Sequence, residues 1–357
     1  TNTMTNSIIW GNNTGIFNNN STLTVSYSIV QGGFTPCTMC PNTNGDISPM
    51  FIDSLPPSMA PTTGGNYRLQ STSPAINAGN NAGIPMGITT DITGGPRILQ
   101  GTVDLGAYEQ LKCPTATSDT LYVNASNMTP GDGSTWSNAY IKLQDALLAA
   151  CGCPNTDFDI WVAQGTYYPD EGVGRINNNR DETFVLCDGI KLYGGFSGTG
   201  TETMVSQRNI TGNPTILSGD LMDNDGLNFT NNGDNSYHVV VAAFADATPT
   251  THLDGFTITG GNANGSGSPV VNGITVFRGY GGGIYISGGN NTLTNNSIIN
   301  NSASNSGGGV IVFRKGILNI TFCELTRNRS DNTGGGLQTL WTNSIISTSI
   351  RNSIISD

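Results

Sequence analysis

Charge is scarce in this chain. Only 11% of its 357 residues are Asp, Glu, Lys or Arg, about half the usual share, so its surface must be built from something other than ion pairs. Positive charge is scarcer still: 14 Lys and Arg stand against 25 Asp and Glu, giving a net charge of −11 and a pI near 4.4. That balance argues against nucleic acid and anionic membranes as partners, since both select basic surfaces. Divalent cations and neutral glycans fit it better. Histidine is limited to His238 and His252. No apolar run reaches the ~18 residues that span a bilayer, and Thr1 opens no signal peptide. The expectation is a mature or excised segment that is not membrane-embedded.

What fills the space is glycine, at 48 residues, together with Asn, Thr and Ser, on a 36% hydrophobic background. That is enough apolar material for one large core or two moderate ones. Stacked Asn, Ser and Thr share hydrogen bonds where stacked charges would repel, so the composition suits a fold that piles like on like. Triple glycines recur at 281–283, 307–309 and 334–336, intervals of 26 and 27 residues. Each is followed by a short apolar run (IYIS, VIVF, LQTL) and then by a second β-rich run carrying asparagines. A period of this size signals a solenoid, because a single unit is too small to bury its own Ile, Leu, Val and Phe. Glycine turns the corners by accepting positive φ and close approach. Asn300, Asn301 and Asn328 are suited to left-handed corners and side-chain ladders. The stretches at 238–244, 253–261, 23–33 and 5–13 fit the same pattern.

One segment departs from it. From Trp136 to Cys151, Tyr140, Leu143, Leu147 and Leu148 fall at helical spacing with Asn138 as N-cap, which predicts an amphipathic helix covering an otherwise open end of the stack. The fold class expected is therefore all-β, a right-handed parallel β-helix with a short capping α-helix.

Cysteines occupy positions 37, 40, 113, 151, 153, 187 and 323. In an exported chain Cys37, Cys40, Cys113, Cys151, Cys153 and Cys187 are disulfide candidates, with connectivity left open by the sequence. Cys37 and Cys40 share a loop suited to a small local bridge. The Cys151-Gly-Cys153 spacing is wrong for a zinc knuckle. Cys323, flanked by strand-like residues, is the odd one and is expected to be buried and inert.

Several stretches resemble a group of secreted Bacteroidota-type parallel β-helix proteins related to polymorphic outer-membrane protein repeats. The run TLYVNASNMTPGDGSTWSNAYIKLQDALLAA, followed by DIWVAQGTYYP (159–169), is similar to the entry of that family's module. IKLYGGFSGT (190–199), ILSGDLMDND (216–225), NSYHVV (235–240) and LDGFTITGGNANG (253–265) continue it. NSIIWGN (6–12), SYSIVQGG (26–33), SPMFID (48–53), NYRLQSTSPAINAGNN (66–81) and GTVDLGAYEQ (101–110) are similar to its exit. Here the exit precedes the entry. The order implies a window across tandem modules: residues 1–111 the end of one, 112–119 a linker, and 120–357 the cap and first coils of the next. Asp357 is then expected to continue into another coil, and the repetition of 342–346 at 5–9 is what neighbouring coils would show. The resemblance implies a secreted or cell-surface location and a role in a giant adhesin or filament. Copies of the chain and surface glycans are the expected partners. Ser54 and Thr120, in Asp-Ser-Leu and Asp-Thr-Leu triplets within loops or linkers, resemble O-glycosylation acceptors of such proteins.

Catalytic patterns are thin. The Asn155-Thr156-Asp157 fragment of polygalacturonase-like sites lacks the Asp-Asp and Gly-His-Gly companions. His238 and His252 sit in strand-like runs with no nucleophile or carboxylate relay nearby in sequence, and read as packed side chains. Arg278, Arg314 and Lys315 read as solvated face residues. Asp220, Asp223 and Asp225, three carboxylates in six residues ending at Gly226, offer a possible Ca²⁺ loop, with a polar Asx-rich turn as the competing reading. Asp91, Asp104 and Glu109 are expected to cap turns and pair with Arg97. Trp10, Trp136, Trp161, Trp341, Tyr167 and Tyr168 serve either as core packing or as a sugar platform. The expected function is a non-enzymatic structural or adhesive module. The alternatives are a polysaccharide lyase or hydrolase and a non-catalytic glycan binder.

Overall fold

The computed structural model describes residues 2–12, 15–18, 22–41, 47–59, 64–113, 120–153, 158–340 and 347–356. The chain forms two compact units, Thr1–Thr115 and Ala116–Asp357. It is an all-β protein with one α-helix among the described residues. Residues 114–119 of the linker, Trp341, the 342–346 repeat and Asn155-Thr156-Asp157 lie outside them.

In the larger unit the chain enters its sheets in a constant order. Ile284–Ser287 lies in a five-stranded sheet, Asn290–Thr294 in a seven-stranded one, Ser297–Ile299 in a six-stranded one and Ser302–Ala303 in a three-stranded one. The next circuit repeats the order with Val310–Phe313, Ile317–Thr321, Glu324–Thr326 and Arg329–Ser330. Every pairing in these four sheets is parallel. Ile284 pairs with Val310 and Val310 with Leu337, so strands follow the glycine period. The first glycine of each triplet supplies a left-handed turn: φ is 69° at Gly281, 68° at Gly307 and 64° at Gly334. The second lets backbones touch, since a Cβ on Gly282 would collide with the Ser302 carbonyl oxygen.

Stacking turns each circuit's apolar residues into columns. Leu121, Ile160, Leu192, Leu253, Leu293, Ile320 and Ile350 pair in turn along the seven-stranded sheet. Tyr167, Leu217, Ile258, Ile298, Leu325 and Ile355 do so along the six-stranded one. All but the last member of each column are buried, and each buried aliphatic side chain contributes about 1.5–3 kcal/mol. The three middle strands of the five-stranded sheet are buried on both faces: Val241, Tyr285 and Ile311 cluster with Val276 and with the half-buried Phe277 and Tyr280. Those three follow a small antiparallel hairpin, Val270–Val271 with Ile274–Thr275. This excursion separates Val240 from its partner Ile284 and hides the period in that stretch.

The helix is shorter than its spacing predicts. It spans Leu143–Cys151, and Asn138 does not cap it; Trp136–Asn138 is a 3₁₀ turn capped by Thr135. Tyr140 lies in extended backbone, bridged to Val123 and donating its amide to the Tyr122 carbonyl at 2.9 Å. Sheet pairing there outcompetes helix propensity. The helix packs on Phe184–Leu186 and Thr120–Val123, terminal strands of the five- and seven-stranded sheets.

In the smaller unit, Asn2–Ile9, Leu23–Val30 and Cys37–Thr38 form a parallel three-stranded sheet, while Phe51–Asp53 pairs antiparallel with Asn66–Leu69. Ile29, Leu69, Ala75, Ile76 and Leu105 form one core cluster; Val25, Val30 and Cys40 form another.

Candidate functional site

The corners between sheets carry the most regular chemistry in the molecule. Where the seven-stranded sheet meets the six-stranded one, each circuit places a left-handed residue: Gly255, Asn295, Phe322 and Asn352, with φ of 87°, 53°, 54° and 48°. The residue after it reaches across to the neighbouring circuit. The Phe256 amide donates to Asn296 Oδ1 at 2.9 Å, the Asn296 amide to Cys323 Sγ at 3.4 Å, and the Cys323 amide to Ser353 Oγ at 3.0 Å. A second column runs from the Gly261 amide to Asn301 Oδ1 at 2.9 Å and from the Asn301 amide to Asn328 Oδ1 at 3.0 Å. Amides turned out of the sheets at a corner would otherwise be orphaned, at a cost of about 1–3 kcal/mol each. Cys323 is a member of this column, and burial pushes its thiol up, which opposes thiolate chemistry. The sequence signal for the column is an asparagine, cysteine or serine at 296, 323 and 353, each behind a left-handed residue. The glycine period drew attention to Asn301 and Asn328 but not to these.

The smaller unit repeats the device. Asn6, Tyr27 and Met39 have φ of 51°, 45° and 56°. The Ser7 amide donates to Ser28 Oγ at 3.2 Å and the Ser28 amide to Cys40 Sγ at 3.4 Å.

Outside the six-stranded sheet, the loop around 219–235 walls a cavity of about 1080 Å³, lined among others by Ser218, Thr259, Asn300, Arg327, Arg329 and the loop's Asp220, Asp223 and Asp225; Arg329 pairs with Asp331 at 2.9 Å. These carboxylates do not converge as a calcium loop requires. Asp220 accepts the amides of Asn224 at 3.1 Å and Asp225 at 2.9 Å, so it shapes the turn. Asp225 accepts the Asn235 side-chain amide at 2.7 Å, and partial burial pushes its carboxyl up. Asp223 sits exposed at φ 50°. Among the described residues no group of three or more His, Cys, Asp or Glu side chains is placed to hold a metal ion. The observed geometry is that of the Asx-rich turn.

His238 is buried, with Nδ1 2.9 Å from the Gly281 carbonyl oxygen and its ring against Tyr285. Burial lowers its pKa to about 4. His252 packs against Tyr193 with Nε2 3.9 Å from Asp254, and burial lowers its pKa as well. Arg278 is not a free face residue: it holds Asp181 through two hydrogen bonds, at 2.6 and 2.7 Å. The two are 97 residues apart in sequence, so the pair had no local signal.

Cys37 is bonded to Cys40 and Cys151 to Cys187; Cys113 and Cys153 are disulfide-bonded as well. Ser54 is exposed in a loop. Thr120 is not in a linker: it is half-buried and opens the strand paired with Asp159–Ala163, while Asp119 lies outside the described residues. Trp136, Trp161 and Phe196 form a buried aromatic cluster with Tyr122, and Tyr167 is buried. Trp10 packs against the smaller unit's core and Tyr168 is half-buried. In the smaller unit Asp91 caps its turn at Thr93 and Gly95, Asp104 accepts the amides of Asn77 and Gln110, and Arg97 pairs with Glu109. Burial pushes Asp104 up to about 6, and burial with the nearby Asp104 charge pushes Glu109 up to about 8. These acids bind backbone and arginine within a structural network.

No helix among the described residues is long and apolar enough to cross a membrane. No protein-family model, curated protein or solved structure matches the chain.

Proposed function

We propose that the larger unit is a right-handed parallel β-helix, a solenoid whose coils are the circuits described above. On this reading the chain serves as an extracellular structural or adhesive module of the kind implied by its resemblance to Bacteroidota-type β-helix proteins. The observation that carries the reading is the constant order of sheets, with corner side chains stacked from circuit to circuit. A continuous ladder of main-chain hydrogen bonds makes a stiff rod, and low-charge faces of Asn, Ser and Thr present a repetitive surface. The work is mechanical. Disulfide bonding of six of the seven cysteines fits secretion into an oxidising exterior. Copies of the chain are the favoured partner, and surface glycans come second. Negative-stain imaging of native material tests the reading: uniform rods or filaments are expected. Isolated globular particles that cleave an acidic polysaccharide would overturn it.

A second reading rests on the cavity beside the six-stranded sheet, whose lining includes Arg327, Arg329 and three aspartates around a space large enough for several sugar rings. Glycan binding or cleavage there predicts that Arg327→Ala abolishes retention on an acidic polysaccharide column. The reading ranks second because Asp220 and Asp225 are already engaged in shaping their own loop.

A further inference from the structure

At the helix-capped end of the larger unit, on the outward side of the seven-stranded sheet, two loops enclose a cavity of about 330 Å³, within the size range of small-molecule sites. One wall comes from the stretch between Asn127 and Ser137 and the other from Gly198 to Thr203, with Tyr122 and Trp136 also in the lining. Hydrogen bonds between these elements hold the walls. The Asn127 side-chain amide donates to the Trp136 carbonyl at 3.0 Å, the Trp136 indole to the Glu202 carbonyl at 3.1 Å, and the Asn124 side-chain amide to the Gly198 carbonyl at 3.2 Å. Left-handed Gly198 and Gly200, with φ of 73° and 91°, let the second wall fold back on itself. Walls fixed in this way are formed before a ligand arrives, which lowers the cost of binding one.

Glu202, also in the lining, is the one member that the loop's own bonding leaves half used. It is 7% exposed. Its Oε1 accepts the Ser197 amide at 2.6 Å and the Ser197 hydroxyl at 2.5 Å, but Oε2 is buried with no hydrogen-bond partner among the described residues. No Lys, Arg or His lines the cavity, and Glu202 enters no ion pair among the described residues. A buried carboxyl oxygen without donor or counter-charge is costly, so the site calls for a positive group that can also donate or approach closely. The rings beside it favour the same guest. Tyr122 and Trp136 meet edge to face at 4.8 Å, and aromatic faces attract organic cations. Each wall also continues into an exposed methionine, Met128 at 98% and Met204 at 57%, a polarizable side chain that adapts to a carbon skeleton. The chain's net charge of −11 draws cations to its surface.

We propose that this cavity is a binding site for a small organic ammonium group, with the Glu202 carboxylate as its counter-charge and the Tyr122 and Trp136 rings packed against its carbon atoms. The quaternary ammonium of a choline headgroup and the primary ammonium of an amino sugar share that chemistry. The hydroxyls of Ser137, Thr199 and Thr203 in the lining offer the second of these additional hydrogen bonds. The inference goes beyond the mechanical reading and does not depend on it: the cavity lies within one unit, and neither filament formation nor the number of circuits enters the argument.

Titration calorimetry of the full chain with choline chloride and with glucosamine tests it. The uncharged counterparts are the tert-butyl analogue of choline, in which carbon replaces nitrogen, and glucose. The expected result is saturable binding of at least one ammonium probe, at least about tenfold tighter than its uncharged counterpart. Tighter binding of choline would name the quaternary headgroup as the source, and tighter binding of glucosamine the amino sugar. Glu202→Gln keeps an acceptor for the Ser197 amide and should weaken binding about tenfold or more, and Tyr122→Leu should weaken it about fivefold; circular dichroism checks that both stay folded. Should Glu202→Gln fail to fold, Tyr122→Leu and the comparison of charged with uncharged probes on the unaltered protein decide. Absence of binding by both ammonium probes up to about 100 mM would overturn the proposal. So would equal affinities within both charged and uncharged pairs, or unchanged affinity in a folded Glu202→Gln protein.

Discussion

The two ends of the larger unit's described stack differ in what covers them. At one end Leu143, Ala146, Leu147 and Ala150 of the helix are buried, and Cys151 is tied to Cys187, the residue after Phe184–Leu186. At the other end the last described members of the columns are Ile350 and Ile355, each more than two-fifths exposed among the described residues. A stack of identical steps has no intrinsic last step, so closing it takes a foreign element or another copy of itself. The contrast teaches that stability in this fold belongs to neighbours: a residue's worth depends on whether the next circuit is present.

Breaking the closed end should have the largest effect. Cys151 and Cys187 are 36 residues apart, so losing the bridge in Cys187→Ser should cost about 4 kcal/mol in the chain-entropy picture, against about 2 kcal/mol for the three-residue Cys37–Cys40 loop. Hydrogen exchange at 143–151 and 184–186 should rise. Unchanged protection would mean that packing alone holds the helix.

Within one column, position should decide the cost. Ile298→Ala, fully buried, should lose about 3 kcal/mol in urea unfolding, whereas Ile355→Ala at the open end should lose about 1 kcal/mol or less. Equal losses would mean that Ile355 is covered in solution.

Acid should act through His238. Its folded pKa, about 4, is below the unfolded 6.5, so the unfolded chain binds the proton more readily. Stability is therefore full above pH 6.5 and falls as pH drops towards 4, by about 3 kcal/mol for this group. His238→Gln should flatten that part of the stability–pH curve; a curve that keeps its slope would assign it to other groups.

The smallest effect is expected at the corner. Cys323→Ser keeps an acceptor for the Asn296 amide and a donor for the Leu293 carbonyl, so the loss should stay within about 1 kcal/mol. Cys323→Val removes the acceptor and should cost more; equal stability of the two would show that the corner bond contributes little.

Much of this was legible in the chain itself. The glycine triplets at 281, 307 and 334, each opening an apolar run, determined parallel strands at a period near 27, because short segments with glycine corners bury their side chains only by lying over one another. Low charge and abundant Asn, Ser and Thr determined that the stacked faces would be neutral and hydrogen-bonded. Tertiary structure decided the rest. It shortened the helix, because Tyr140 gained more from pairing beside Tyr122 than from joining Leu143. It turned Asp220 from a candidate ligand into the clasp of a turn, and joined Arg278 to Asp181 across 97 residues. It gave Cys323 and Ser353 their corner roles through residues about 30 positions away. Local periodicity reports which face a residue turns inward, but partners brought together by folding are set by where whole circuits land, and no short stretch of sequence carries that information.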